Sequence, residues 1–154
     1  MDAKELMVGD WVRIKDNVDE EAYFMHEGMK AGQYIKVEEV LSIGINPRWN
    51  GAEVSDMIPW DAIEPVPITV EILMDNDFED VFHAYSDWAY KYEIKDEKGW
   101  DIADVSICYG LEAEEWTCEF FGKNGESNEF RCKHVHELQH AMRLLGIDKE
   151  IVLQ

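Results

Sequence analysis

The sequence predicts an α+β protein in two parts: an all-β first half, then a half that reads helix, antiparallel sheet, helix. Three observations carry that expectation. Up to residue 66 the apolar residues alternate in short runs broken by turn residues. Pro65-Val66-Pro67 then places two prolines one residue apart, which favours an extended connector and blocks helix or central strand there. Beyond it come a capped apolar stretch, three to four alternating strands, and a stretch of helical period from about His134 to Leu145. The expected domains are residues 1–66 and 67–154.

In the first half, Gly9-Asp10 marks a turn into a strand over Trp11–Ile14, with Trp11 and Arg13 on one face and Val12 and Ile14 on the other. A second strand covers Tyr34–Leu41 and continues past a bend at Gly44 to Ile45. Glu53–Ile58 reads as a further strand, and Trp60–Glu64 as a short turn with a closing strand. Between them, Asn46–Gly51 reads as a loop carrying Trp49, and Lys15–Gly32 as a long acidic loop carrying Tyr23, Phe24, Met25 and Met29. Tyr23, Phe24, Met25 and Trp49 are the candidate partner-contact residues. The competing expectation folds the loop side chains back onto the sheet, because exposed apolar clusters are uncommon on monomers. The short strands, the "GDWVRI" opening, the long first loop and the "IPWDAIEPV" ending over residues 4–66 resemble an SH3-like β-barrel. Such barrels serve many functions, so this likeness implies none.

In the second half, Thr69 is placed to cap a short helix over Val70–Met74, with Glu71 in its first turn. Tyr90, Tyr92 and Ile94 alternate with Lys91, Glu93 and Lys95. Val105, Ile107 and Tyr109 share a face, as do Trp116, Cys118 and Phe120. Asn124-Gly125 predicts a hairpin to Glu129–Cys132. The final helix ends at Gly146, and its apolar stripe covers one face of the sheet.

The chain has 154 residues, 46% of them apolar and 12% aromatic, which suits a packed core. Its formal net charge is −20. That disfavours direct contact with nucleic acid or an anionic membrane, and suits a basic protein partner or mimicry of a nucleic-acid backbone. The acid is spread, with 14 acidic and 6 basic groups in residues 1–66 and 20 and 8 in residues 67–154, so neither half is a charged tail. The start, Met1-Asp2-Ala3-Lys4-Glu5, has no apolar signal-like region, and no apolar run approaches the length of a membrane span. Cys108, Cys118 and Cys132 are odd in number and lack C-x-x-C spacing. Reduced thiols in a cytoplasmic protein are expected.

The strongest apparent motif is His136-Glu137-Leu138-Gln139-His140, which fits H-E-x-x-H. On a helix that spacing sets two imidazoles on one face to hold zinc, while the glutamate polarises the bound water. Three arguments weigh against a zinc hydrolase. The helical wheel puts Val135, Leu138, Ala141, Met142 and Leu145 on one stripe, and His136, Gln139, His140 and Arg143 on an opposite, solvated face. No third ligand follows at the usual spacings, since position 146 is Gly146 and the chain continues only 14 residues past His140. A pattern with three fixed letters also arises readily by chance. If any metal binds, His136 and His140 are the expected ligands, with His134 near by. Asp75-x-Asp77-x-Glu79 starts like a calcium loop, but Asp80 stands where glycine is needed and Ser86 where the last acid is needed. No cofactor is expected, and no catalytic residue is assigned.

The chain also carries "KELMVGDWV" at Lys4–Val12, "PITVEILMDNDF" at Pro67–Phe78 and "HVHELQ" at His134–Gln139. These resemble small uncharacterised proteins of Bacteroidetes genomes, often encoded in prophages or other mobile elements. Here Asp77 stands where those proteins have glycine. In that family the glutamate of the pentapeptide is often glutamine and the second histidine is not fixed, so the resemblance implies no zinc site. The expected function is a non-enzymatic interaction or accessory protein of a phage or mobile element. The alternatives are an acidic nucleic-acid mimic that inhibits a DNA-handling host protein, and a zinc-dependent hydrolase built on His136 and His140.

Overall fold

The computed structural model describes residues 6–18, 29–49, 52–53, 57–81, 88–95, 97–99, 101–110, 115–122 and 126–153. They form two compact units, the first holding the described residues up to Val66 together with Leu153, the second running from Pro67 to Val152 rather than to 154. The class is α+β, with two antiparallel sheets and a C-terminal helix.

The first unit holds β1 (Trp11–Ile14), β2 (Tyr34–Val40), β3 (Gly44–Trp49), β4 (Ala52–Glu53), β5 (Ile58–Pro59) and β6 (Ile63–Pro65). The strand order is β4-β3-β2-β1-β6, with β5 pairing β3. Among the described residues β4 and β6 do not pair with each other, so the sheet is not a closed barrel. Gly9, at φ 88°, makes the turn into β1, and its N–H donates to Val37 O at 2.7 Å. Asp10 is fully buried and accepts from Met7 N at 2.7 Å, which satisfies a polar group that burial would otherwise penalise. Strand alternation then fills the core: Val12, Ile14, Ile35 and Val37 point inward with Ile45, Ile58 and Ile63.

Two details differ from the expected pattern. Gly44 does not bend one continuous strand but begins a separate one, paired with Pro59 in β5. Asn46–Trp49 belongs to β3 rather than to a loop, with Trp49 opposite Ala52. Asn-Pro reads as a turn signal, yet Pro47 sits opposite Val37 where the β2–β3 register shifts, and such an irregularity tolerates a residue without an N–H.

The second unit holds α1 (Val70–Asp75), β7 (Glu79–Asp80), β8 (Trp88–Lys95), β9 (Asp101–Gly110), β10 (Glu115–Gly122), β11 (Ser127–Cys132) and α2 (Val135–Leu144). Its five-stranded sheet is an antiparallel meander in the order β11-β10-β9-β8-β7. The register places Tyr90 beside Ile107, Ile107 beside Cys118, and Trp116 beside Tyr109, as the alternation predicts. Trp116 packs against Tyr90 and Tyr109, at 6.1 and 5.0 Å between centroids, and its indole N–H donates to Ile68 O at 3.1 Å. Thr69 Oγ1 caps α1 by accepting from Ile72 N at 3.3 Å.

The apolar stripe of α2 is buried through Val135, Leu138, Ala141 and Met142. Past Leu145, Gly146 takes φ 72°, its N–H donates to Arg143 O, and Ile147 N donates to Met142 O. This is the six-to-one and five-to-two pairing that ends a helix at a left-handed glycine. The segment after it is tied down by Asn76. That side chain donates to Ile72 O at 2.8 Å and Val152 O at 3.0 Å, and accepts from Val152 N at 2.7 Å.

Candidate functional site

The start of α2 collects the most chemistry among the described residues. His134 is the N-cap, with extended backbone at φ −128° and ψ 154°. The entering chain is held alongside by an isolated bridge from Pro67 to His134 and by Ile68 N donating to Lys133 O at 3.1 Å. Because the helix begins at Val135, His136 and Glu137 fall in its first turn. Four N–H groups there have no intrahelical acceptor. The Glu137 carboxylate answers part of this need: it accepts from the N-cap His134 N at 3.0 Å, and also from Lys133 N, just ahead of the helix, at 2.6 Å.

Around that carboxylate the side chains converge. Ligand atoms of His134, His136 and Glu137 all lie within 4.8 Å of one another. The rings of His134 and His136 stack at 5.5 Å between centroids with planes 7° apart. His140 meets His136 edge-on at 5.8 Å and is not part of the converging set. Sequence spacing paired His136 with His140; the structure pairs His136 with His134. The signal for His134 was its place two residues upstream, at the cap, whereas H-E-x-x-H reasoning searches downstream.

The expected solvated outer face needs correcting. His136 is 3% exposed and Gln139 is 2% exposed, while His140 is half-buried and Arg143 exposed. A wheel gives a direction relative to the apolar stripe and says nothing of what lies on the other side. Both atoms of the Gln139 amide are buried without a hydrogen-bond partner. An orphaned buried amide costs about 1–3 kcal/mol, so Gln139→Leu should raise the midpoint of thermal unfolding by about 4 °C or more. A thermal melt that moves down instead would show that the amide is satisfied in solution.

Burial of Glu137 opposes its ionisation, but the N–H groups of Lys133 and His134 and the two nearby imidazoles outweigh it. The carboxyl therefore titrates below its ordinary range. A carboxylate whose pKa falls on folding stabilises the fold above its unfolded value, about 4.3, and that contribution is lost as pH drops through the folded value. Glu137→Gln keeps a capping acceptor but removes the titration. Its acid unfolding, followed by circular dichroism, should be shallower below about pH 4.3 than that of the unmodified chain.

Cys108, Cys118 and Cys132 are free and buried. The Cys132 thiol is pushed up by its hydrogen bond to Cys118 and by burial, with the charge of Glu137 adding to both. It stays a neutral thiol and is not a ready thiolate ligand. A separate open groove of about 470 Å³ in the second unit is lined by Tyr92, Ile94, Lys95, Phe120, Ile147 and Lys149. Lys149 there is engaged, 2.7 Å from Asp77 Oδ2 and 4.9 Å from the Tyr92 ring centroid. The groove carries no nucleophile–base pair. Of the candidate contact residues, Tyr23, Phe24 and Met25 lie outside the described residues, and Trp49 closes β3.

Compared with known proteins, the chain matches no family model, no curated protein and no solved structure. No helix among the described residues is long and apolar enough to cross a membrane.

Proposed function

We propose that this is a non-enzymatic binding protein that acts through a basic protein partner. One observation carries the reading: the backbone N–H groups of Lys133 and His134 both fill Oε2 of Glu137, which fixes the carboxylate in the helix cap and keeps it from swinging toward a water on a His136–His140 ion as a general base. Displacing it would leave the part-buried His134 N–H without its acceptor, at about 1 kcal/mol or more.

The partner's sign follows from charge. Several cations are already paired internally: Arg13 with Asp16 and Glu64, Arg48 with Glu38, Lys91 with Glu93 and Asp104, and Lys149 with Asp77. Against a net charge of −20, the surplus facing outward is acidic. For the first unit, the Gly-Asp turn into β1, which lies between β2 and β6, and the run of short strands support an SH3-like module as its reading. The likeness to mobile-element proteins supports an accessory role in a phage or similar element, and the acidic surface would serve such a role in the cytoplasm.

The test is turnover. The full chain, made without a histidine tag and supplied with one equivalent of Zn²⁺, is expected to hydrolyse casein and an activated ester no faster than free Zn²⁺. Turnover above that level, lost in Glu137→Gln, overturns the non-enzymatic reading.

A further inference from the structure

We infer that His134, His136 and Glu137 form a binding site for a borderline divalent transition metal ion of the zinc class, stapling the first turn of α2. The site differs from the H-E-x-x-H pair in its ligands and in its chemistry.

The donor set is two imidazoles and a carboxylate, which suits Zn²⁺, Ni²⁺ or Co²⁺ rather than the all-oxygen preference of Ca²⁺ or Mg²⁺. Tetrahedral zinc ligands at about 2.0–2.1 Å from the metal lie roughly 3.3 Å apart. The three ligand atoms already fall within 4.8 Å of one another, so closure needs inward movement of about 1 Å, within the reach of side-chain rotation. With planes 7° apart the in-plane lone pairs of the two rings run parallel, so one ring must turn about its side-chain bonds for both to meet a shared ion.

Capping does not exclude ligation. A carboxylate has about four lone-pair positions; both backbone N–H groups sit on Oε2, which leaves Oε1 to ligate while the cap stays in place. Ion entry is open, because the side chains of His134 and Glu137 are 31% and 40% exposed. The Arg143 cation, which stands one turn from His140, is about 10 Å along the axis from His136, so it opposes this site far less.

A second observation points the same way. Gln139, three residues after His136 and on the same side of the helix, is 2% exposed with both amide atoms unpartnered. Helical side chains lean toward the N-terminus, which brings that amide toward the turn bearing His136. A metal-bound water there would supply its missing partner.

The experiment is calorimetric titration of the full chain, without a histidine tag, with ZnCl₂, repeated on three variants. His134→Asn removes a ligand while installing a better N-cap, so the helix start survives. Glu137→Gln keeps the capping acceptor. His140→Ala alters only the residue outside the set. The expected result is one Zn²⁺ per chain, a raised unfolding temperature with the metal, and binding weakened by roughly tenfold or more in His134→Asn and Glu137→Gln. His140→Ala should bind within about twofold of the unmodified chain. No binding, several weak ions per chain, undiminished binding in His134→Asn, or loss in His140→Ala would each overturn the site. The turnover assay above reads a different property, so either conclusion can fail while the other stands.

Discussion

Gly44→Ala should destabilise the first unit by about 3 kcal/mol or more, the largest effect expected of a single methyl group in this chain. The reason is space, not backbone conformation, since Gly44 is not among the positive-φ glycines. A Cβ built there would run into the carbonyl oxygen of Ile58 and come within 2.9 Å of both Ile58 C and Pro59 Cα. All three atoms are backbone, held by the β3–β5 pairing of Gly44 with Pro59, so none can swing aside as a side-chain tip could. Relief requires β5 to leave β3, and that would uncover Ile45 and Ile58, which are 0% and 1% exposed. Amide hydrogen exchange should show faster exchange at Ile45 and Ile58, while the β8–β10 amides stay protected. Unchanged protection at Ile45 would refute the close approach.

Asn76→Ala should cost the second unit about 2–4 kcal/mol, lowering its unfolding midpoint by about 10 °C or more. The side chain is 3% exposed and uses three hydrogen bonds to join the end of α1 to residue 152. Alanine would leave Ile72 O, Val152 N and Val152 O without those partners. Asn76→Asp separates the parts of this effect. It is nearly isosteric and retains an acceptor for Val152 N, but it turns both donor contacts into carboxylate–carbonyl repulsion and buries a charge, so it should be at least as damaging. Thermal unfolding followed by circular dichroism would measure both. An aspartate variant as stable as the unmodified chain would mean that the amide does not hold the tail.

How much of this was legible in the sequence depends on whether the signal was local. The second sheet's strands follow from alternation: Tyr90 and Tyr92, Val105 and Ile107, Trp116 and Cys118 share the faces their period assigns. The end of α2 at Gly146 and the cap at Thr69 follow from residue type alone. β3 was hidden because Asn46-Pro47 has turn chemistry, and only the partner strand's register shift makes a strand possible there. β7 is two residues long, too short for any period to register. At the site, His136 and His134 were both legible as histidines near one another, but the expected pair was His136 with His140, and Glu137 was not expected as a ligand. A wheel treats every residue as helical, but His134 is the cap and leaves the helix path, which is how residues two apart come to share a ligand cluster. The burial of Gln139 has no sequence signature, because glutamine on a helix ordinarily faces water.

The position of Glu137 in its helix bears on how such pentapeptides are read elsewhere. A pattern of letters has no phase, whereas a helix has a beginning. Shifted one full turn deeper, the same five residues would meet backbone N–H groups already bonded to earlier carbonyls, and the glutamate would be at liberty to act on a bound ligand. Set at the third helical position, it is drawn onto the chain's own amides. Screening for H-E-x-x-H could therefore include a count of residues between the glutamate and the helix start, and matches that place it in the opening turn would be sorted first among the architectural ones.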